Sequence, residues 1–464
     1  MTIEKLQEIL AKNPEQALAD LQVSSFTLPK WSDLEKEYDP MQHSIQSTID
    51  YPAKLNENNM DDFKRTSFGL QKLAVARIAQ AMFAAPVTRN YTFDTSNQQQ
   101  IDAVQLLESL FEIENYIDSE NIERGKQLNA SCQIVTIWSA VPSEIPIMVN
   151  NLPTKFKLIH KTYSEMEGYK IYAQTDSNGE ILVISIFYTD SASKEHVDVY
   201  ANTNPPQYLK YDKLEQWTLD SLLSNRALAC FPALHLTSKE PVWGGTAGTN
   251  IVEQIEELIS FQGLYIKKNA APTFVLDYGD TAGASRAVTE EKSNDSRKII
   301  TVGKGGTMAD VTWPGAGTAV KDQYQILRNA FFEQVQMPDI SFANLINSNT
   351  SAENKELLFS DVKAKALDLG GEWSRFFYKE FLIVKAFAKV MFPSLASALD
   401  LISMRAKINP YSIKSKKETA EYVSLAGDAM SLHTKVTLLG EADNVDQEVE
   451  TIEAGNSMNA NQGI

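Results

Sequence analysis

The chain has 464 residues, 43% of them hydrophobic, with a formal net charge of −17 and two cysteines. That length and apolar content can bury a large core divided among several subdomains, and they exclude a disordered or low-complexity protein. The acidic balance argues against tight, non-specific binding to nucleic acid or to an anionic membrane, since either needs basic surface, and Cys132 and Cys230 sit in no metal-binding or redox spacing, which fits buried thiols in a reducing compartment.

The first segment, MTIEKLQEILAKNPEQALADL, predicts one acidic amphipathic helix without the basic n-region and apolar h-region of a signal peptide. With the prolines and aromatics that follow, residues 1–59 read as an arm that docks onto something larger. Residues 60–243 read as helices followed by an antiparallel sheet. A long helix is expected from about Met60 to Pro86, carrying Leu70, Leu73, Ile78, Met82 and Phe83. Another runs from Asn97 to Ile117, striped by Ile101, Val104, Leu107 and Leu110, and a third contains Ile122 to Leu128. From Cys132 the pattern turns to strands: Gln133 to Ser139, Lys155 to Lys161, Lys170 to Gln174, Ile181 to Thr189 and His196 to Tyr200. Asp176-Ser177-Asn178-Gly179 is a hairpin turn rather than a calcium loop, because its glycine comes too early for an EF-hand and the distal glutamate is missing.

Residues 244–269 predict a helix capped at Asn250, with Glu253 in the capping-box position. Ile251, Ile255, Leu258, Gln262 and Ile266 form its stripe, and Glu253, Glu256 and Glu257 read as a solvated face. Residues 270–314 hold a small β unit, with strands at Thr273 to Tyr278 and Lys298 to Val302. Residues 315–337 return as a helix with Val320, Tyr324, Leu327, Phe331 and Val335 on one face, ending at Pro338. A polar loop, 338–350, precedes a restart at the Thr350 to Glu353 capping box. The helix of residues 351–408 then keeps Leu358, Val362, Ala366, Leu369, Trp373, Phe377, Phe381, Val384, Ala388 and Met391 at helical spacing as far as Phe392, with a kink expected at Gly370-Gly371. Its apolar end is interrupted by Lys379, Glu380, Lys385 and Lys389 and is too short and charged to span a bilayer, so no membrane role is indicated. Residues 409–464 read as short helices joined by Gly427 and Gly440, with SMNANQGI as a disordered tail.

Catalytic signatures are weak. His43, His160, His196, His235 and His433 share no metal-ligand spacing, and neither GGTAG at Gly244 nor GKGG at Gly303 has the order of a P-loop. No carboxylate pair stands isolated in an apolar context. The sequence therefore points away from an enzyme, and no metal or cofactor is expected.

The order of these parts resembles the portal proteins of tailed bacteriophages, head-to-tail connectors of the short-chain headful-packaging type. The resemblance covers nearly the whole chain. It rests on LQKLAVARIAQAMFAAPV, the β-rich region, CFPALHLTSKEPVWGGTAGTNIVEQIEELI, helix–β–helix, the junction NSNTSAENKELLF, the long helix and the acidic tail, taken in that order. It implies an α+β, portal-like subunit with a helical stem (244–269 and 315–337), a β-rich clip (270–314), a tunnel loop (338–350), a mixed α/β wing with a long kinked helix, and a helical crown. Where many relatives carry a Ser-Gly step in the tunnel loop, this chain has Ser348-Asn349-Thr350-Ser351.

Such a subunit implies a homo-oligomeric ring of twelve at the portal vertex of a virion, assembled in the host cytoplasm. Double-stranded DNA would pass through it without sequence preference, and the terminase large subunit, a head-tail adaptor, the major capsid protein and scaffold would be partners. Asn344, Asn347, Ser348 and Asn349 would face the channel with exchangeable polar contacts, and a few of the lysines just behind them, Lys355, Lys363 and Lys365, would approach the DNA backbone. An ordinary surface loop and solvated helix face account equally well for any single lysine. Arg286, Arg297 and Lys298 would decorate the clip and meet an acidic docking partner. Two rivals stay open: a scaffold or adaptor ring that conducts no DNA, and a nuclease or hydrolase using the abundant carboxylates.

Overall fold

The computed structural model describes residues 1–54, 63–213, 215–221, 223–224, 228–269, 274–278, 290–292, 298–303, 316–337, 360–410, 416–440, 445 and 448–454. The chain divides into two units, one of residues 1–337 with 365–410 and one of residues 338–364 with 411–464.

The first unit opens with two helices, α1 (Ile3–Leu10) and α2 (Pro14–Leu21), where the sequence predicts one. The break is local: the Asn13 side chain accepts from the Gln16 amide at 3.0 Å and Pro14, which has no amide to donate, takes the first helical position. Leu6, Ile9, Leu18 and Leu21 pack on Val183, Val197, Val199 and Leu209, so the arm docks on the chain's own sheet. After α3 (Trp31–Tyr38), α4 (Leu70–Phe83) starts well beyond the expected Met60. The residues just ahead of it are committed elsewhere: the Thr66 amide donates to Ser260 Oγ at 2.9 Å and the Phe68 amide to Glu256 Oε1 at 2.7 Å.

Next come β1 (Thr88–Thr92) and α5 (Gln98–Glu108), the latter capped by Asn97, whose side chain accepts from the Gln99 amide at 3.0 Å. A wider π turn over Ser109–Ile113 and a left-handed Tyr116 (φ 48°) close α5 before Ile117, and α6 (Ile117–Ser131) begins there. A Cβ on Gly125 would meet the Phe83 ring at 3.0 Å and Ala79 at 3.2 Å, so glycine sets how closely α6 approaches α4.

The strands that follow are β2 (Gln133–Val149), β3 (Leu152–Ser164), β4 (Lys170–Thr175), β5 (Ile181–Thr189), β6 (Glu195–Ala201), β7 (Gln207–Lys213), β8 (Trp217–Leu219) and β9 (Ala233–Thr237). The meander β4-β5-β6-β7-β8 is antiparallel throughout, and Gly179 (φ 83°) makes the β4–β5 turn where the sequence predicts it. Its second face, with Ile171, Ala173, Ile184 and Ile186, packs on Val135, Ile137 and Tyr163 of the sheet β3-β2-β9. Alternation along the strands thus feeds two cores, one under the N-terminal helices and one between sheets. The β2–β3 hairpin runs far past the expected ends at Ser139 and Lys155, turning at Asn150-Asn151, both left-handed.

After this come α7 (Thr246–Asn269), β10 (Phe274–Tyr278), β11 (Glu290–Lys292), β12 (Lys298–Gly303) and α8 (Ala316–Val335). The expected β unit is present, with β12 central, parallel to β10 and antiparallel to β11. The long helix, α9 (Ser360–Met391), is described over 32 residues, about 48 Å at the α-helical rise. It stays helical through Gly370-Gly371; the abrupt change of direction, 116°, comes beyond it at Pro393–Leu401, which includes α10 (Ala396–Leu401). β13 (Ser403–Lys407) then pairs antiparallel with β1. The predicted stripe of α9 is buried at Ala366, Trp373, Phe377, Phe381, Val384, Ala388 and Met391. Phe83 meets two of these rings, Trp373 at 4.9 Å and Phe377 at 6.3 Å between centroids.

The second unit contains α11 (Lys416–Ala426) and α12 (Leu432–Leu439), with left-handed Gly427 between them and left-handed Gly440 after them, as the sequence suggests. Ser431 caps α12 by accepting from the Thr434 amide at 3.2 Å. The SMNANQGI tail lies outside the described residues, as does the Thr350 to Glu353 restart.

Candidate functional site

The element that sequence reading makes central, the α7/α8 pair, starts from a tight turn. Trp243 is fully buried and donates from Nε1 to Glu37 Oε2 at 2.8 Å. Gly244 and Gly245 follow at φ 77° and 56°, and a Cβ on Gly248 would lie 2.0 Å from the Trp243 carbonyl oxygen. The GGTAG cluster is therefore a turn into a helix and not a phosphate cradle. Because α7 starts at Thr246, Asn250 lies within the helix and does not cap it, contrary to expectation.

From Val252 to Leu264 one side of α7 belongs to the core, through a face rotated from the predicted one and sharing Ile255 with it: Val252, Ile255, Glu256, Ser260 and Leu264 are buried. Glu256 is the principal correction. Instead of facing water, its Oε1 lies 2.6 Å from His43 Nδ1 and accepts from the Phe68 amide, while His43 Nε2 lies 2.9 Å from the Glu37 carbonyl oxygen. One oxygen of the buried carboxylate is thus paired and hydrogen-bonded, while Oε2 is buried without a hydrogen bond, and the pair ties α7 to the arm. The C-terminal end of α8 is anchored by Phe331, Phe332, Val335 and Met337. Its open Val335 carbonyl accepts from Lys365 Nζ at 2.8 Å, a cation placed where the helix dipole favours one. Burial lowers the pKa of Lys365.

The opposite halves of these helices are built otherwise. Phe261, Tyr265 and Ile266 on α7 are exposed, and Ile326 on α8 is 60% exposed. Leu258, Phe261, Ile266, Val320 and Leu327 line an open groove of about 800 Å³ between the two helices. The predicted α8 face is buried only from Phe331 onward.

Among the predicted site residues, Asn344, Asn347, Ser348, Asn349 and Lys355 lie outside the described residues, as do Arg286 and Arg297. Lys298 opens β12, in register with Lys292. Lys363 is half-buried on α9. Lys365, grouped with the channel lysines by sequence, is instead spent on the Val335 carbonyl.

A second buried pair also escaped the sequence. Arg124 Nη1 lies 3.0 Å from Glu380 Oε1, both essentially without solvent contact, and Trp138 Nε1 donates to the same oxygen at 3.1 Å. Their separation in the chain leaves no spacing signal. The remaining titratable groups read as structural. Burial, with Arg124 nearby, pushes the His160 pKa down to about 3, and burial pushes His235 to about 4. The Cys132 thiol is pushed up to about 12 and that of the half-buried Cys230 to about 11, both by burial, which leaves neither a ready nucleophile. Among the described residues no group of His, Cys, Asp or Glu could hold a metal ion, and no single helix is long and apolar enough to cross a membrane.

Residues 249–462 match the model of the family described as phage portal protein, SPP1 Gp6-like. No curated protein matches the chain. Among solved structures, a chain of the neck of an empty GTA particle computed with C6 symmetry aligns at 13% identity, over 85% of this chain and 93% of that one, with a TM-score of 0.28. A superposition that loose adds nothing to the assignment, which the family match carries alone. Over residues 249–462, which take in nearly all of α7, the β10–β12 sheet, α8, α9 and the helices of the second unit, the chain is similar to the phage portal protein family, SPP1 Gp6-like.

Proposed function

We propose that the chain is the subunit of a portal ring at one vertex of a phage capsid, a conduit for double-stranded DNA during packaging and ejection. The family match over residues 249–462 carries this reading, because it spans both central helices and everything after them. In the ring, residues 244–269 and 315–337 form the stem and residues 270–314 the clip, where the terminase large subunit and then a head-tail adaptor dock. Residues 338–350 form the tunnel loop, 351–408 the long wing helix and 409–464 the crown. Twelve subunits close the ring, with the major capsid protein and scaffold as neighbours during assembly in the host cytoplasm.

The physical chemistry supports a conduit. A net charge of −17 on every subunit repels phosphate in bulk, so DNA slides rather than sticks. In the loop, Asn344, Asn347, Ser348 and Asn349 offer contacts that exchange readily with water, and Lys355 and Lys363 supply a few local cations. Arg286, Arg297 and Lys298 are the clip cations for an acidic docking partner. The reading calls for no catalytic residue.

The test is an end-on electron micrograph of the purified protein. A ring whose central hole exceeds about 20 Å, room for a B-form duplex, is the expected result. A discrete monomer at every concentration, or a closed ring too narrow for DNA, would remove the conduit.

A further inference from the structure

The β2–β3 ribbon is longer than its own sheet requires. β9 pairs with β2 only from Gln133 to Ile137, so beyond that point β2 and β3 have only each other among the described strands, and both edges are open. A lone two-stranded ribbon is marginal in water, and an open edge invites a further strand. Here the edges are blunted: Pro142, Pro146 and Pro153 offer no amide, and the register shifts between Pro142 and Ile147. What remains for recognition is the side-chain faces.

The two faces differ. In the observed register one holds Val149, Thr154 and Leu158, all buried, with Phe156 exposed among them. The other holds Val141, Met148 and Ile159, all exposed, Met148 at 59%, together with exposed Lys155 and Lys157. Nearer the base this second face is Ile137 and Tyr163, which pack on Ile171, Ala173 and Ile184 of the neighbouring sheet. The open face is thus a core face continued past the sheet that covers it. Neither Lys155 nor Lys157 has an acidic partner among the described residues.

We infer that a second copy of this chain covers that face, its acidic surface meeting Lys155 and Lys157 and its apolar side chains burying Val141, Met148 and Ile159. Charge selects the occupant: two unpartnered lysines on a chain with 60 acidic against 43 basic residues are complementary to another copy of it. Two ribbons cannot meet face to face, since lysine would oppose lysine. The contact therefore joins different patches on the two copies, the head-to-tail arrangement that generates closed rings. The inference rests on the reading of the chain as a ring subunit and adds which element bridges neighbours.

The test uses the purified full chain, its fraction in rings read by mass photometry across a concentration series. Lys155→Glu with Lys157→Glu is expected to raise the concentration for half-assembly roughly tenfold or more, while Lys155→Arg with Lys157→Arg stays within about twofold of the parent. In a second variant residues 142–156 are replaced by Asn-Gly, closing the hairpin between the paired Val141 and Lys157; it should lose only the strand signal of the removed residues, keep a cooperative melting transition and fail to form rings. Parent-like assembly by the glutamate variant would overturn the ribbon contact and leave the ring reading standing. A parent chain that never assembles would remove both.

Discussion

The two ends of the α7/α8 pair obey different rules. Toward the base, the polar groups that go inside have buried partners: Glu256 Oε1 with His43, the Thr66 amide with Ser260, the Val335 carbonyl with Lys365, although Glu256 Oε2 is buried without a hydrogen bond. Over the other halves large apolar side chains, Phe261, Tyr265, Ile266 and Ile326, keep 42–60% of their surface in water. A single chain gains nothing from exposing them, since fully burying one such side chain is worth about 1.5–3 kcal/mol. The base is therefore finished within the monomer, whereas the outer halves keep apolar surface that only assembly would cover. Substitutions at the base should change the stability of the isolated chain, and substitutions on the outer halves should change only what it assembles into.

The strongest challenge to that division is Phe331→Ala. Phe331 is fully buried at the anchored end of α8, with the Phe332 ring at 5.6 Å, and its loss leaves a cavity that should cost about 4 kcal/mol in denaturant unfolding. A cost under about 1 kcal/mol would mean that the base is not part of the cooperative core.

Glu256→Ala comes next. It strands the buried His43 ring and the Phe68 amide together, and should cost about 3 kcal/mol or more by the same measurement. Glu256→Gln keeps an acceptor for Phe68 and should cost less than the alanine variant. Equal costs would show that the carboxylate charge, and not the acceptor, is what the arm requires.

These two sites also show what a sequence can and cannot display. Phe331 was legible, because an apolar residue at helical spacing announces its own burial. Glu256 was not: beside Glu253 and Glu257 it looks like a solvated face, and His43 lies 213 positions away, beyond any spacing rule. Arg124 and Glu380 hid in the same way. The β5 strand and the Asn178-Gly179 turn were readable because period-two alternation and a left-handed turn residue are local signals. The late start of α4 was not, since the Thr66 and Phe68 amides are claimed by side chains of α7. Of the candidate site, the two helices and the β unit between them were legible; the α7 stripe was read rotated from the buried face, sharing Ile255 with it, because that face includes a glutamate and a serine.

Lys365→Met sharpens the division at its margin. The open Val335 carbonyl loses its donor, while the burial of an ammonium is relieved, so the net cost should be about 0.5–1 kcal/mol at neutral pH. The pH dependence has a fixed sign. Burial holds the folded-state pKa of Lys365 below the unfolded one, so the folded chain binds fewer protons between the two, and stability rises with pH across that interval. The parent should therefore gain on Lys365→Met as pH is raised toward the unfolded lysine pKa. A parallel pair of melting curves across that range would remove Lys365 from the base.

The smallest effect on the monomer is expected from Ile266→Ser. The side chain is 54% exposed on the outer half of α7 and lines the groove toward Val320 and Leu327. Its replacement removes contacts that the isolated chain barely makes, so unfolding free energy should move by no more than about 0.5 kcal/mol. Assembly should respond in the opposite proportion, because a groove that gains its stabilisation only when covered loses it when made polar. Folded monomers with a lower ring fraction than the parent are the expected outcome in paired denaturation and mass-photometry measurements. A loss of several kcal/mol in the monomer would erase the difference between the two ends, since it would show the outer halves to be as much a part of the chain's own core as Phe331 and Glu256.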